Sequence, residues 1–302
     1  MKPKIKNIAI IGLGLIGSSI LHALKIKHNN KYKTYAYDIN VKYRNIIKRM
    51  KISDMVCNKI SEAVKNADLI ILAIPVGSMG EVAKEINPYV KKGAIITDTG
   101  STKISVIQDV TPFIPDQAFY IPSHPLAGTE HSGPESGFSS LFDSRYWIII
   151  SNEKNANTKV LETFFIKLGA VVDYMVAEYH DKIMAMTSHL PHLIAFTIVG
   201  TANQLEKDLK NDVVRYSATG FRDFTRLASS DPTMWRDVFL TNKDATLEIL
   251  GRFTEELFAL QRAIRTGDGD QLHAYFTRTR EIRRGIVEAG QDTDAPNFGR
   301  GG

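Results

Sequence analysis

Short, continuous apolar runs recur along the first half of the chain, and helical or loop-forming segments separate them. They occupy residues 7–11, 34–37, 68–73, 93–97, 118–121 and 146–150. Apolar runs of this length without alternating polar positions are typical of strands buried on both faces, as in a parallel sheet. Their regular recurrence predicts an α/β fold of the Rossmann type, with a doubly wound sheet.

The pattern changes after a further helix and strand that end near Tyr174. From about Glu178 onward it is helical almost throughout, and an apolar segment in residues 183–198 comes first. A helix that is apolar on more than one face is buried either inside a bundle or against another subunit. We therefore predict a Rossmann-like domain in residues 1–174, an all-α dimerisation domain in residues 175–290 and a polar tail in residues 291–302. The predicted assembly is a homodimer.

A glycine-rich loop follows the first apolar run and leads directly into a helical pattern. The loop contains Gly12, Gly14 and Gly17, and Leu15 and Ile16 begin the helix. In such a loop the first glycine permits a tight turn, the second lets a pyrophosphate approach the backbone, and the third allows close helix packing. The free N–H groups at the helix N-terminus bind the phosphates. This context predicts a dinucleotide site, and the alternative is a loop whose glycines serve packing only.

Asp38 follows the second apolar run and lies 21 residues after Gly17. At this spacing a carboxylate accepts a hydrogen bond from the ribose 2′-OH of NAD, whereas it repels the 2′-phosphate of NADP. The sequence therefore predicts NAD as the cofactor, and the alternative for Asp38 is a turn residue. Pro75 lies in the loop after the third run, where the chain is expected to pass beside the cofactor.

Two further predicted strand ends carry residues suited to catalysis. His124 follows the fifth run, and Ser101 lies in the polar segment after the fourth. Ligands of an open α/β sheet bind beyond the carboxyl ends of its strands, and histidine can accept a proton near neutral pH. We predict His124 as a catalytic group close to the cofactor, against the alternative of a turn histidine without a role.

The helical half contains two polar segments of interest. Residues 188–192 read Ser-His-Leu-Pro-His, in which His189 and His192 have a spacing that could share a metal. No carboxylate at helical spacing completes such a site, so we predict no metal. Residues 220–235 place Arg222 and Arg226 among aromatic and apolar neighbours. This predicts cations held in partly buried surroundings for a carboxylate, and the alternative is a surface ion-pair cluster.

The composition excludes several other classes of protein. The chain has 302 residues, 43% hydrophobic content, a net charge of +5 and one cysteine, Cys57. No uninterrupted apolar run approaches the ~20 residues of a membrane span. The N-terminal lysines precede no signal-peptide core, and no nucleic-acid-binding motif organises the cations. We therefore expect a cytoplasmic two-domain enzyme that acts on a small molecule, without nucleic-acid or membrane partners.

These motifs together resemble those of the prephenate dehydrogenase family, which includes the arogenate and cyclohexadienyl dehydrogenases of tyrosine biosynthesis. The resemblance covers about residues 5–290. Besides the glycine loop, it rests on Gly-Ser-Thr-Lys at 100–103, His-Pro-Leu-Ala-Gly-Thr-Glu at 124–130, Ser-His-Leu-Pro-His at 188–192 and the segment 221–235. It implies NAD-dependent oxidative decarboxylation of prephenate, arogenate or both.

The resemblance also implies roles for individual residues. His124 would accept the proton of the substrate C4 hydroxyl, and Ser101 would orient both groups near the nicotinamide. Arg226 would bind the ring carboxylate, and His189 would contact the side chain of the substrate. Glu130 would gate or organise the pocket.

The resemblance also implies that Arg222 and Trp235, both in the segment 221–235, bind substrate. Arg222 stands where the family often has lysine, so the positive charge is kept.

Two other functions stay open. β-Hydroxyacid and imine reductases also join a Rossmann domain to a helical dimerising domain, but they need a Lys or Asp on the first interdomain helix, where this chain offers His189. A regulatory protein that senses NAD without turnover would leave His124 and the arginines unexplained.

Overall fold

The computed structural model describes residues 5–28, 31–205, 212–213 and 215–288. The chain divides into two compact units, Met1–Thr246 and Leu247–Gly302. The predicted domain boundary after residue 174 lies inside the first unit and stays a prediction. The predicted tail at residues 291–302 lies outside the described residues.

The first unit begins with a six-stranded sheet in which every pairing is parallel. Its strands are β1 (Asn7–Ile11), β2 (Lys33–Tyr37), β3 (Met55–Val56), β4 (Leu69–Leu72), β5 (Ile95–Asp98) and β6 (Phe119–Tyr120). Their order in the sheet is β3-β2-β1-β4-β5-β6. The connecting helices are α1 (Leu15–Lys27), α2 (Val41–Met50), α3 (Ile60–Val64), α4 (Met79–Ile86) and α5 (Ile104–Val110).

The continuous apolar runs form the centre of this sheet because successive side chains of a strand enter different cores. Ile8 and Ile10 of β1 pack into one cluster, while Ala9 and Ile11 pack into another. Side chains that alternate across a strand explain this division. The reversal of strand order between β1 and β4 places a crevice beside the glycine loop, which is where open α/β sheets bind ligands.

A second sheet, of three strands, shows that the predictions for residues 146–150 and for His124 were wrong in part. It contains β7 (Ser123–Pro125), β8 (Tyr146–Ile150) and β9 (Val171–Met175), and β7 is antiparallel to β8. The run at 146–150 therefore does not belong to the doubly wound sheet, and His124 lies within a strand of the second sheet rather than beyond a parallel strand end. The chain joins the second sheet directly after β6, since the carbonyl oxygen of Pro122 already accepts a hydrogen bond from the Ile150 N–H at 2.9 Å.

Most of the remaining regular elements of the described chain are helices. Helix α6 (Ala156–Leu168) precedes β9, and α7 (Ala177–Met184) continues through a π-helical turn (Ala185–His189) into α8 (Leu190–Asn203). Next come α9 (Thr219–Thr225), a 3₁₀ turn (Arg226–Ser229) and α10 (Pro232–Thr241). Helix α11 (Lys243–Thr266) begins in the first unit, and α12 (Gly269–Glu288) lies in the second.

Candidate active site

The glycine loop has the geometry that a dinucleotide requires. Gly12 has a φ of +97°, and a Cβ there would lie 2.2 Å from the carbonyl oxygen of Ala73. A Cβ on Gly17 would lie 1.9 Å from the carbonyl oxygen of Gly12, so both positions exclude any side chain. Around Gly14, by contrast, no atom lies within 4 Å of the Cβ position. The backbone is thus open on the side where a pyrophosphate would approach the start of α1.

Asp38 lies at the end of β2 and joins this strand to the glycine loop. Its Oδ2 atom accepts a hydrogen bond from the Leu13 N–H at 2.7 Å, and its Oδ1 atom accepts one from the Asn40 N–H at 2.7 Å. The Arg44 guanidinium donates to the carbonyl oxygen of Asp38 and lies over the Tyr37 ring. Each carboxylate oxygen keeps a lone pair, so the predicted contact with a ribose hydroxyl stays compatible with the structure.

The remaining predicted cofactor residues surround the same crevice. Leu15 and Ile16 form the half-buried first turn of α1, whose N–H groups have no partner within the helix. Pro75 is exposed and precedes a 3₁₀ turn after β4, and Ser101 is half-buried between β5 and α5. Because β1, β4 and β5 run parallel, their carboxyl ends and the residues that follow them lie at the same edge of the sheet.

His124 is half-buried and forms a chain of hydrogen bonds with two residues of α7. The distance between His124 Nδ1 and His180 Nε2 is 2.9 Å, and that between His180 Nδ1 and Asp181 Oδ1 is 2.8 Å. Asp181 also accepts the N–H groups of Lys103 and Ile104 at 2.8 and 2.9 Å. The carboxylate thereby joins the start of α5 to α7 and supports the histidine pair.

A buried ion pair lies beneath His124. The Lys103 ammonium is fully buried, pairs with Asp98 and donates to the carbonyl oxygen of Ser123 at 2.7 Å. Asp98 also accepts hydrogen bonds from the Gly100 N–H and the Tyr120 hydroxyl. Since Ser123 precedes His124 directly, these contacts fix the backbone of β7 against the end of β5.

The electrostatic surroundings keep His124 neutral at ordinary pH. Burial lowers the pKa of His124 well below its usual range, and the neighbouring His180, Lys103 and His189 act in the same direction. Burial also lowers the pKa of His180, although the Asp181 carboxylate opposes that effect. A neutral histidine in this position can accept a proton.

His189 is buried in the π-helical turn, and one of its two ring nitrogens has no hydrogen-bond partner among the described residues. The Asn242 side-chain amide lies 3.1 Å from His189 Nδ1 and donates to the carbonyl oxygen of Asp181. An amide N–H at Nδ1 makes that atom the acceptor, so the proton of neutral His189 is on Nε2. Within the described part of the chain, neither His189 Nε2 nor the Trp235 indole N–H has a hydrogen-bond partner. Burial lowers the pKa of His189 to about 4.

The two predicted arginines differ from expectation. Arg226 donates to Glu130 Oε2 at 2.9 Å, with side chains that are 41% and 26% exposed. Arg222 is exposed as well. The prediction of partly buried cations therefore fails for Arg222, whereas Arg226 is partly covered in its ion pair with Glu130. The structure does join Arg226 to Glu130, two residues that were expected in the same pocket.

The described residues hold no cluster of three or more metal-binding side chains. His189 and His192 point to different partners, since His192 Nδ1 lies 2.9 Å from the Ser188 carbonyl oxygen and its ring stacks on Trp235 at 3.8 Å. Their ring nitrogens thus have different hydrogen-bond surroundings, although both rings lie near Trp235.

Sequence reasoning missed the residues that support the site. His180 and Asp181 are adjacent in α7, which also carries Glu178 and Lys182, and Lys103 is a single cation in a polar segment. Because charged residues lie on both sides of this pair in the sequence, nothing there indicates that His180 and Asp181 are buried. Asn242 gave no signal, because it contacts His189 only through the packing of α10 on the π-helical turn.

Known proteins provide an independent comparison with this geometry. The model for the nucleotide-binding domain of prephenate dehydrogenase matches residues 22–174, and the model for its dimerization domain matches residues 176–278. A cyclohexadienyl dehydrogenase of Zymomonas mobilis is 40% identical over 280 residues, which cover 92% of this chain and 95% of that protein. A prephenate dehydrogenase of Bacillus subtilis is 30% identical and covers 93% of this chain and 76% of that protein.

Solved structures agree with the sequence matches. A prephenate dehydrogenase of Aquifex aeolicus, in complex with hydroxyphenyl propionate and NAD⁺, aligns with a TM-score of 0.86 at 30% identity and covers 94% of this chain and 99% of that one. A Synechocystis arogenate dehydrogenase shares the fold, with a TM-score of 0.77 at 21% identity over 93% of this chain and 99% of that one. The predicted fold class and the NAD-binding domain are confirmed. The chain belongs to the prephenate dehydrogenase family.

Proposed function

We propose that this chain catalyses the NAD-dependent oxidative decarboxylation of prephenate, arogenate or both. The observation that carries the proposal is a neutral histidine, His124, linked to His180 and Asp181 beside the crevice that the glycine loop opens. Family membership supports the reaction class. The side-chain geometry supports the assignment of residues to its steps.

The residues around the glycine loop fit NAD. The open space at Gly14 and the first turn of α1 suit a pyrophosphate, and the Asp38 carboxylate suits a ribose with free hydroxyl groups. When bound, NAD accepts the hydride that leaves C4 of the substrate ring.

On the protein side, His124 accepts the proton of the C4 hydroxyl as the C4–H bond breaks. The bond between C1 and the ring carboxylate then breaks, carbon dioxide leaves, and the electron pair enters the ring. The phenolate oxygen takes the proton back from His124, so the step needs no net proton. Ser101, between β5 and α5, is proposed to orient the hydroxyl and His124.

The helical segment supplies the groups for an anionic substrate. Arg226 is proposed to bind the ring carboxylate, which would replace Glu130 as its partner. The unpartnered N–H groups of His189 and Trp235 are donors that a substrate side chain can satisfy. Arg222, which is exposed, is proposed as a second cation for the substrate.

The direct test is to incubate the purified protein with NAD⁺ and either prephenate or arogenate, and to follow NADH by its absorbance. The parent protein is expected to reduce NAD⁺ with at least one substrate. The His124→Asn variant is expected to lose about 10²–10⁴-fold in kcat, as for the loss of a general base, while its affinity for NAD stays within a few-fold. An absence of NADH with both substrates would refute the activity and favour the reductase or NAD-sensing alternative. Near-native turnover of the variant would remove His124 from the mechanism.

We further propose that the functional form is a homodimer whose interface includes α7 and α8. The helical segment Ala177–Asn203 has 27 residues and contains an 18-residue window with a mean hydropathy of 1.4, so by length and composition it could cross a membrane. Only 28% of its apolar window is buried within the chain, and Tyr179, Met186 and Val199 are exposed. The same segment carries the buried His180, Asp181 and His189, which fits a subunit interface beside an active site better than a lipid environment. Light scattering of the detergent-free protein should give twice the protomer mass.

A further inference from the structure

The hydrogen-bond chain at His124 has a direction that can be derived from its far end. Asp181 accepts two backbone N–H groups from the start of α5, and an ionised carboxylate can only accept. The ring atom of His180 that faces Asp181 is therefore the donor, so His180 carries its proton on Nδ1. In a neutral imidazole the other nitrogen is an acceptor, which makes His180 Nε2 the acceptor for His124.

We propose that His180, held by Asp181, is the positioning residue that keeps the lone pair of His124 on Nε2. His124 must donate its Nδ1 proton to His180 Nε2 across the 2.9 Å contact. Its Nε2 atom is then free of hydrogen and available to the substrate hydroxyl. This inference rests on the proposed function, because it assigns a role within that reaction.

The same arrangement stabilises the charge that His124 acquires during the reaction. When the O–H bond of the substrate breaks and the N–H bond at Nε2 forms, the imidazolium donates a stronger hydrogen bond from Nδ1 to His180. His180 in turn is held by the Asp181 carboxylate, so a negative charge lies two hydrogen bonds away from the new positive one. The fully buried Lys103 ammonium and the Asp98 carboxylate also face this pair, and they pair with each other.

The contacts also explain how His180 and Asp181 can be buried. His180 and Asp181 are 0% and 1% exposed, although polar groups in such surroundings cost free energy unless they are paired. Both ring nitrogens of His180 are satisfied, and three elements, β7, α5 and α7, meet at the pair. A fully satisfied network of this kind holds its members in one geometry.

Two substitutions at His180 separate positioning from folding. His180→Phe keeps a planar ring but removes the acceptor, whereas His180→Gln can present an amide oxygen to the His124 Nδ1–H. Asp181 is unsuitable, because it also binds the backbone of α5. His22→Phe is the matched control, since His22 is partly buried in α1 and its Nε2 atom has no hydrogen-bond partner among the described residues.

The first readout is the ¹⁵N chemical shift of the His124 ring nitrogens in the NAD-free protein. The parent and His180→Gln are expected to carry the proton on Nδ1, and His180→Phe is expected to gain the Nε2–H form. The second readout is steady-state kinetics. His180→Phe should lower kcat by about 10²–10⁴-fold with KM values within a few-fold, as for a misdirected base histidine. His180→Gln should recover part of that loss, and His22→Phe should match the parent.

A His124 proton on Nε2 in the parent protein would overturn the proposal, and so would a His180→Phe variant with unchanged tautomer and kcat. If His180→Phe fails to fold in a thermal melt, the parent tautomer and the kinetics of His180→Gln decide. The tautomer measurement needs no substrate. A parent protein that reduces no NAD⁺ with prephenate or arogenate would therefore refute the proposed function without removing the test of the hydrogen-bond direction.

Discussion

Arg226 has to exchange one carboxylate partner for another if it binds the substrate. Its guanidinium donates to Glu130 Oε2, and the pair is partly exposed, so the exchange costs little free energy. A substrate carboxylate in a closed pocket gains more from the planar guanidinium fork than Glu130 does at the surface. The ion pair is thus compatible with Glu130 as a residue that organises Arg226.

Truncation of this arginine should affect substrate binding selectively. We expect Arg226→Ala to raise KM for the substrate at least tenfold and to leave KM for NAD nearly unchanged, because the ring carboxylate loses its cation. Arg226→Lys should restore only part of the affinity, since lysine lacks the fork. Arg222→Ala is the matched comparison in the same segment. If Arg226→Ala had an unaltered KM and kcat while Arg222→Ala did not, the ring carboxylate would belong to Arg222.

Asp38 should determine the choice between NAD and NADP. Asp38→Asn keeps an oxygen that can accept from the Leu13 N–H but removes the charge that repels a 2′-phosphate. The nearby Arg44 guanidinium then favours the phosphate. The ratio of kcat/KM for NADP to that for NAD should rise at least tenfold in this variant, measured with saturating substrate. A parent protein that already prefers NADP would contradict the assignment of Asp38.

Residues that act through local sequence were predictable, and residues that act through tertiary contact were not. Asp38 and the glycines have fixed spacing within one βαβ unit, so the sequence alone located them at the ends of β1 and β2. His124 stood out as an ionisable residue in a recognisable motif. His180 gave no such signal, because it lies 56 positions after His124 in the chain, and β8, α6 and β9 come between them.

Substitutions in the glycine loop can distinguish an effect on NAD binding from an effect on the stability of the fold. Gly14 has an extended backbone with φ −72° and free space at its Cβ position, whereas a Cβ on Gly17 would overlap the Gly12 carbonyl oxygen. We expect Gly14→Ala to melt within about 2 °C of the parent but to bind NAD at least tenfold more weakly. Gly17→Ala should melt more than about 4 °C lower, because overpacking against backbone costs roughly 1–3 kcal/mol.

Thermal melts and NAD titrations of the two variants provide the measurement. Normal NAD affinity in Gly14→Ala would show that the cofactor does not approach this part of the loop. Unchanged stability in Gly17→Ala would show that the helix can shift away from the loop.

At the scale of elements, most strands were predictable and the second sheet was not. Continuous apolar runs identified β1, β2, β4 and β5 within one or two residues, since fully buried strands have no polar face. Strand β8 has the same apolar character, so periodicity could not tell which sheet it joins. The short β3 and the π-helical turn at 185–189 also escaped prediction, because their sequences differ little from those of ordinary loops and helices.

At the scale of the whole molecule, the buried histidines link stability to pH. Burial lowers the pKa of His124, His180 and His189, in the last case to about 4, whereas an unfolded histidine titrates near 6.5. Below pH 6.5 the unfolded chain therefore binds protons that the folded chain does not, and stability falls as the pH decreases. For His189 this loss continues until the pH reaches about 4.

The expected size of the His189 effect makes it measurable. With folded and unfolded pKa values of about 4 and ~6.5, His189 alone should cost about 2 kcal/mol of unfolding free energy between pH 7 and pH 5. We expect denaturant unfolding of the NAD-free protein, at one fixed protein concentration, to show a larger fall over this interval for the parent than for His189→Asn. The variant lacks the titrating ring but keeps a short polar side chain near Asn242. Its stability at pH 7 can differ from that of the parent for other reasons, so the comparison concerns only the change with pH. An equal pH dependence in both proteins would mean that His189 titrates alike in the folded and unfolded chains, and burial would then not be what keeps His189 neutral.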